Sequence, residues 1–426
     1  MTKAEEPKPT IRFKRREPID DIKNDLLGFD KLVPQFVEEL RATDPPYVIG
    51  LTGEWGIGKS SFLVECIKQR AKRYPTLEVV DRMELWRFSG RVDLATAMVE
   101  TITEHLRLSQ KESAKELLGK VRDTLFKFAS WVSIGLPGVN VHSKPDEIYN
   151  IWKAAEKELH EQFDELVEKG LEGKSKNTKI VVPVDDLDRC LPDKALEFLE
   201  KLRLFFDSER VIFIVALDKE VVADAITARF GKDVNINGHW YLEKLIDRMY
   251  RIPLPTHEHF QGFVTKKYKE LVGIEADKDF EKAIGRWWDR SKGYGPKAMG
   301  NPRRILRAVE KILSLVSRIE SPDRKREIFV MFPLLLLREI YHDFYSFVKR
   351  DGEIILRLGT VEKLNLQIDE IVKKHGENVK SFCLDEDIID ICRQVKRGLL
   401  SVAKNDWRKG KGIIESSAHF FDDNVT

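Results

Sequence analysis

One stretch of eight residues constrains this chain more than any other: Gly53-Glu54-Trp55-Gly56-Ile57-Gly58-Lys59-Ser60. It fits G-x-x-x-x-G-K-[ST] in full, and its surroundings fit as well. Before it stands a short apolar run, Tyr47-Val48-Ile49-Gly50-Leu51-Thr52, with the length and content of a buried strand. After it a helical pattern runs from Lys59 to about Arg73. Glycines let such a loop turn its backbone N–H groups inward onto phosphate oxygens. A helix beginning near Lys59 adds its positive N-terminal dipole. Lys59 can reach β- and γ-phosphates, and the Ser60 hydroxyl can ligate Mg²⁺. The expected nucleotide-binding set is therefore Gly53, Glu54, Trp55, Gly56, Ile57, Gly58, Lys59, Ser60 and the adjoining Ser61.

The rest of the chain reads as a frame for that loop. A helical pattern from about Asp30 to Arg41 carries Leu32, Val33, Phe36, Val37 and Leu40 on one side, and Thr43-Asp44-Pro45-Pro46 stops it. A second strand is expected at Leu77–Leu85. A mostly helical stretch follows from Asp93 to about Glu172, broken by Gly and Pro near 135–145. After the linker GLEGKSKNTK come two buried strands, Ile180–Val184 and Val211–Ala216, with a crossover helix at 193–206 between them. Met249–Leu254 is the last strand signal. Strands alternating with helical crossovers indicate an α/β fold, a mostly parallel sheet flanked by helices on both faces. Residues 256–426 read as a predominantly α-helical C-terminal region with a polar break at 290–300. The expected division is a flexible arm at 1–18 and a nucleotide-binding domain at 19–255 with a helical insertion at about 93–172. A helical lid and C-terminal helical domain follow at 256–426.

Length and composition agree with this reading. A chain of 426 residues has room for two or three domains, and 42% hydrophobic content is enough for packed cores. Lys and Arg number 73 against 71 Asp and Glu, which excludes a histone-like or polyanionic protein but leaves room for a local basic patch. Four cysteines without a C-x-x-C pair exclude a disulfide scaffold and point to a reducing cytoplasm. The charged N-terminus has no apolar stretch behind it, so no signal peptide is expected. Phe128–Val141 and Ile328–Leu337 are the apolar runs, both shorter than the roughly 20 residues a span needs. They read as buried core or shallow interfacial segments, and no stable membrane span is expected.

A phosphate loop of this kind needs an acidic group opposite Ser60. Val181-Val182-Pro183-Val184-Asp185-Asp186-Leu187-Asp188-Arg189 supplies one at the C-terminal end of an apolar strand, where ligands of open α/β sheets bind. Asp185 is the candidate to hold Mg²⁺ through its waters, opposite Ser60, and Asp186 to orient or deprotonate an attacking water. Asp188 shares that second role or caps the following turn. Asp218, just past the 211–216 strand, either approaches the γ-phosphate or caps the helix that starts there. Arg189 either acts as an arginine finger or pairs with Asp185 or Asp186. In Asn301-Pro302-Arg303-Arg304, Asn suits an N-cap and Pro the first helical position. Two arginines in that first turn oppose the helix dipole unless an anion faces them, which makes Arg303 a candidate phosphate sensor. The candidate catalytic set is Asp186, Lys59, Arg189, Asp218 and Arg303.

These residues together resemble the KAP group of P-loop NTPases. The resemblance rests on six motifs in order. They are the Trp-containing P-loop, Glu84-Leu85-Trp86-Arg87-Phe88, Asp185–Arg189, Ala216-Leu217-Asp218-Lys219, Tyr241-Leu242-Glu243-Lys244 and Asn301–Arg304. The resemblance covers roughly residues 20–310. It implies an additional-strand (ASCE-type) P-loop NTPase fold, ATP with Mg²⁺ as cofactors, and a regulatory or assembly-linked ATPase. Phage-exclusion proteins and ATPases of antiphage systems are among its bacterial relatives. Many members carry transmembrane helices between the P-loop and the acidic stretch; here that interval holds only the short Phe128–Val141 run.

The leading expectation is an ATPase switch in a protein assembly, with Arg303 reporting to the helical region. The alternative is a nucleotide-gated scaffold that binds ATP, hydrolyses little and recruits partner proteins or DNA. A small-molecule kinase fits the long helical region less well, and a GTPase lacks an Asn-Lys-x-Asp motif. A homo-oligomer stays open. Nucleic acid stays open as a partner through basic stretches at 303–307, 323–326 and 393–411, against their being ordinary solvated helix faces.

Overall fold

The computed structural model describes residues 18, 25–53, 55–63, 71, 73–88, 93–108, 112–134, 145–230, 237–272, 301–316, 332–359 and 364–384, with scattered positions from 388 to 417. The arm at 1–17, Glu54, the helical stretch at 64–70, the apolar residues 135–144, the polar break at 290–300 and the basic stretch at 323–326 lie outside these residues, as does most of 393–411.

The first helix, α1 (Phe29–Ala42), buries Phe29, Val33, Phe36, Val37 and Leu40, the apolar stripe of the sequence. It delivers the chain to β1 (Tyr47–Thr52), which leads through the P-loop into α2 (Lys59–Ser61). The edge run forms β2 (Leu77–Val79) and β3 (Met83–Glu84). Three helices follow: α3 (Leu94–His105), α4 (Glu112–Ile134) and α5 (Pro145–Gly170). Then come β4 (Lys179–Asp185), α6 (Pro192–Phe205), β5 (Val211–Leu217), α7 (Lys219–Phe230), α8 (Gly238–Leu245) and β6 (Arg248–Arg251).

Among the described residues the sheet runs β2-β4-β5-β1-β6, with β3 also on β4, and every pairing is parallel. The strand that carries the acidic stretch is thus separated from the P-loop strand by one additional strand, β5. Both faces are covered, and the period-2 alternation of the strands sorts side chains between them. Ile180, Val182 and Val184 of β4, with Phe213 and Val215 of β5, pack on the side of α3–α6. Val181, Ile212, Ile214 and Ala216 pack on the other side, against α1 and Phe62.

The expected strand at 77–85 is two short strands. Val80 still donates its N–H to Val181 O (2.9 Å), but the ladder breaks at 80–82, where Arg82 turns onto Asp185. Leu85 is not in a strand: it opens a 3₁₀ turn at Leu85–Arg87. The last strand ends at Arg251, three residues earlier than expected, because Pro253 and Pro255 cannot donate to a ladder.

Beyond β6 the described elements are helical: α9 (His257–Val272), α10 (Pro302–Val316), α11 (Phe332–Ile340), α12 (His342–Arg350), α13 (Glu353–Leu358), α14 (Leu364–His375) and α15 (Lys380–Cys383). They share a core of their own, with Ile305, Val309, Leu334, Leu335, Leu337, Phe344 and Ile355 in it. Of the apolar run ending at Leu337, the residues Leu334, Leu335 and Leu337 are therefore buried in a helical core. Among the described residues no helix is long and apolar enough to cross a membrane. Cys190, Cys383 and Cys392 form no disulfide.

Candidate functional site

The C-terminal ends of β1, β5 and β4 come level, because Thr52 pairs with Leu217 and Val215 pairs with Val184. The P-loop leaves β1 there. Gly56 (φ +91°) and Gly58 (φ +110°) sit in the left-handed region that a side chain disfavours. A Cβ on Gly58 would also come within 2.8 Å of the Phe29 ring, so α1 supports the loop from beneath. Lys59 is buried, and its ammonium donates to Gly53 O within the same loop. Burial pulls its pKa below the ordinary value, while Asp188, Asp218, Asp185 and Asp186 oppose that shift in decreasing order. Ser60 and Ser61 are half-buried. The charges of four carboxylates at the ends of β4 and β5 therefore favour the ammonium form of this lysine.

Asp185 ends β4 and is 1% exposed. Its Oδ2 accepts from Arg82 (2.6 Å) and its Oδ1 from the Asp186 N–H (2.9 Å). Asp186 has a left-handed backbone (φ 59°, ψ 34°), unusual for a residue with a side chain. Burial pushes its carboxyl up to about 6, the Asp185 charge adds to this, and Arg189 opposes it. The opposition is direct, since Arg189 Nε lies 2.9 Å from Asp186 Oδ1. Asp188 accepts a hydrogen bond from the indole N–H of Trp55 and so ties the acidic stretch to the P-loop. Asp218 Oδ1 accepts from the Glu220 N–H (3.2 Å), the helix-capping alternative, although its charge also reaches Lys59.

The helical region meets the loop at the start of α10. Asn301 caps the helix, its Oδ1 accepting from the N–H groups of Arg303 (3.2 Å) and Arg304 (3.3 Å). Its amide donates to Trp55 O (2.7 Å). The Arg303 side chain lies against Gly56, where an added Cβ would come within 2.4 Å of Arg303 Cβ. Arg303, the expected sensor, is thus at the P-loop.

Sequence reasoning assigned no role to Arg82 or Glu84. Arg82 bridges Asp185 and Glu84 (2.5 Å), Glu84 also pairs with Arg87 (2.5 Å), and Glu84 is register partner of Asp185. The signal was the charged run Asp81-Arg82-Met83-Glu84 at the tip of an apolar stretch. Among the described residues no group of three or more His, Cys, Asp or Glu side chains forms a metal cage. Mg²⁺ at a P-loop needs none, because it takes a hydroxyl, a carboxylate contact and phosphate oxygens. Ser60 and Asp185 carry groups of that chemical type, with Asp185 Oδ2 held here by Arg82.

The chain matches the KAP family P-loop domain over residues 29–319. It is 22% identical over 354 residues to the phage T7 exclusion protein of Escherichia coli (strain K12), a match covering 76% of this chain and 45% of that protein. A shorter region of 72 residues is 36% identical to the kinase D-interacting substrate of 220 kDa of Rattus norvegicus, and equally to that of Homo sapiens. That match covers 16% of this chain and 4% of either protein. The chain therefore spans less than half the length of these relatives. Its strand order, its phosphate loop and the family match over most of its length agree: the chain belongs to the KAP family of P-loop NTPases.

Proposed function

We propose that this chain is a Mg²⁺-dependent ATPase that acts as a conformational switch within a protein assembly, in the cytoplasm and in the setting of phage defence. The observation that carries the chemistry is the hydrogen bond from Trp55 to Asp188, which ties the acidic end of β4 to the phosphate loop that holds the buried Lys59. In this reading the loop amides and Lys59 bind the phosphates, and Lys59 leaves Gly53 O to do so. Ser60 and Asp185 hold Mg²⁺, which would neutralise charge on the β- and γ-oxygens. Asp186 orients the attacking water and accepts its proton. Arg303, beside Gly56, reports the γ-phosphate to α10, and Arg189 supplies positive charge once it leaves Asp186. Likeness to the phage T7 exclusion protein supports the phage-defence setting.

A second reading is a scaffold that binds ATP with little hydrolysis and recruits partner proteins or DNA. The observation favouring it is that Arg189 already occupies Asp186 and Arg82 occupies Asp185. The test is ATP turnover with Mg²⁺ by the purified protein, Lys59→Ala and Asp186→Ala, with and without DNA. Loss of turnover in both variants supports the switch ATPase. Lys59-dependent binding with no turnover under any condition supports the scaffold. No Lys59-dependent ATP binding sinks both readings.

A further inference from the structure

We infer that Asn301 is a positioning residue for the phosphate loop: its carboxamide sets the Trp55–Gly56 peptide and couples phosphate occupancy to the first turn of α10. The inference rests on the nucleotide-binding reading above and adds the route by which the helical region senses the loop.

Asn301 is 1% exposed and uses both ends of its amide. The oxygen caps α10 through Arg303 and Arg304, and the nitrogen holds Trp55 O, 246 residues away in sequence. A peptide is planar and trans, so its C=O and the following N–H point in opposite directions. Fixing Trp55 O toward Asn301 therefore aims the Gly56 N–H away from the Asn301 side chain. That N–H is one of the donors a phosphate would take. The other end of Trp55 is fixed too, by its indole bond to Asp188. Gly56 completes the contact, since an added Cβ would also stand 2.7 Å from Asn301 Oδ1.

Rotation of this peptide therefore either drags the cap of α10 or breaks its bond to Asn301. The buried face of α10 (Ile305, Ala308, Val309, Ile312) lies in the core of the C-terminal helices, so movement of the cap passes into that core. Coupling of this kind is reciprocal: whatever displaces α10 alters the loop's hold on phosphate.

The experiment is amide hydrogen exchange over residues 302–316, with and without Mg²⁺ and a non-hydrolysable ATP analogue, in wild type and Asn301→Ser. Serine keeps a good capping oxygen but is too short to reach Trp55 O. The expected result is nucleotide-dependent protection of α10 in wild type that disappears in Asn301→Ser. The variant should bind the analogue about 5- to 10-fold more weakly, the loss of one neutral hydrogen bond. Protection retained in Asn301→Ser at wild-type affinity would reduce Asn301 to a helix cap. Wild type that binds the analogue in a Lys59-dependent way without any change in α10 would overturn the coupling, whether or not the variant folds. Wild type that does not bind would bring down the nucleotide reading itself, a result distinct from both.

Discussion

At the scale of single residues, the loop is held by what is missing as much as by what is present. Gly56→Ala would face a positive φ and the Arg303 Cβ at once. We expect it to destabilise the fold by roughly 1–3 kcal/mol, read as a lowered melting temperature, and to weaken ATP binding. Phe62, fully buried behind the loop, packs edge-on against Phe29 (5.5 Å) and Phe36 (5.4 Å). Phe62→Ala should destabilise by about 3–5 kcal/mol in denaturant unfolding. Part of this site is legible in the sequence: the glycine spacing announces the loop, and Asn301-Pro302 announces a cap. The second use of Asn301, and the bond from Trp55 to Asp188, are not legible there. A sequence shows that a side chain can donate; it does not show which of many distant carbonyls or carboxylates will be within reach.

At the scale of elements, charge pairs pin the helices to the sheet. His105, in the last turn of α3, lies 3.1 Å from Glu78 of β2 and 3.5 Å from Asp81, and Lys174 pairs with Glu78 from the turn before β4. The bond to Glu78 raises the pKa of His105, and the same bond pulls Glu78 down to about 2. The contribution of His105 is therefore full below its ordinary value of 6.5 and fades as pH rises through its raised value. That of Glu78 is full above 4.5 and fades as pH falls toward about 2. His105→Gln should thus destabilise by roughly 1 kcal/mol near pH 5.5, and the gap to wild type should narrow in thermal melts as pH rises through the raised value of His105. The strand pattern at 77–85 hides the break at 80–82, because periodicity records burial. It carries no mark of an arginine that leaves the ladder for a carboxylate on the neighbouring strand.

At the scale of the whole molecule, a ligand that binds only the folded chain stabilises all of it. At 100 times its Kd, ATP with Mg²⁺ should add about 2.7 kcal/mol, seen as a raised melting temperature that Lys59→Ala abolishes. The alternation of strands and helices makes a parallel sheet readable, and places β4 beside β5. The place of β6 next to β1 is not readable, since a four-residue strand carries too little pattern to name its neighbour. That sheet has a further property. Among the described residues, one border is β6, only four residues long, with exposed Arg248 and Arg251 at its two ends. The other is the β2–β3 run, interrupted by Arg82 before it can offer a continuous row of free amides. Short, cationic or broken borders are poor templates for a further strand. The sheet is thereby guarded against growing by strand addition and against the fibrous aggregation such growth begins. Among the described residues, the surfaces this leaves to a copy or partner are helix faces and loop ends, where contacts can form and release without unpicking a hydrogen-bond ladder.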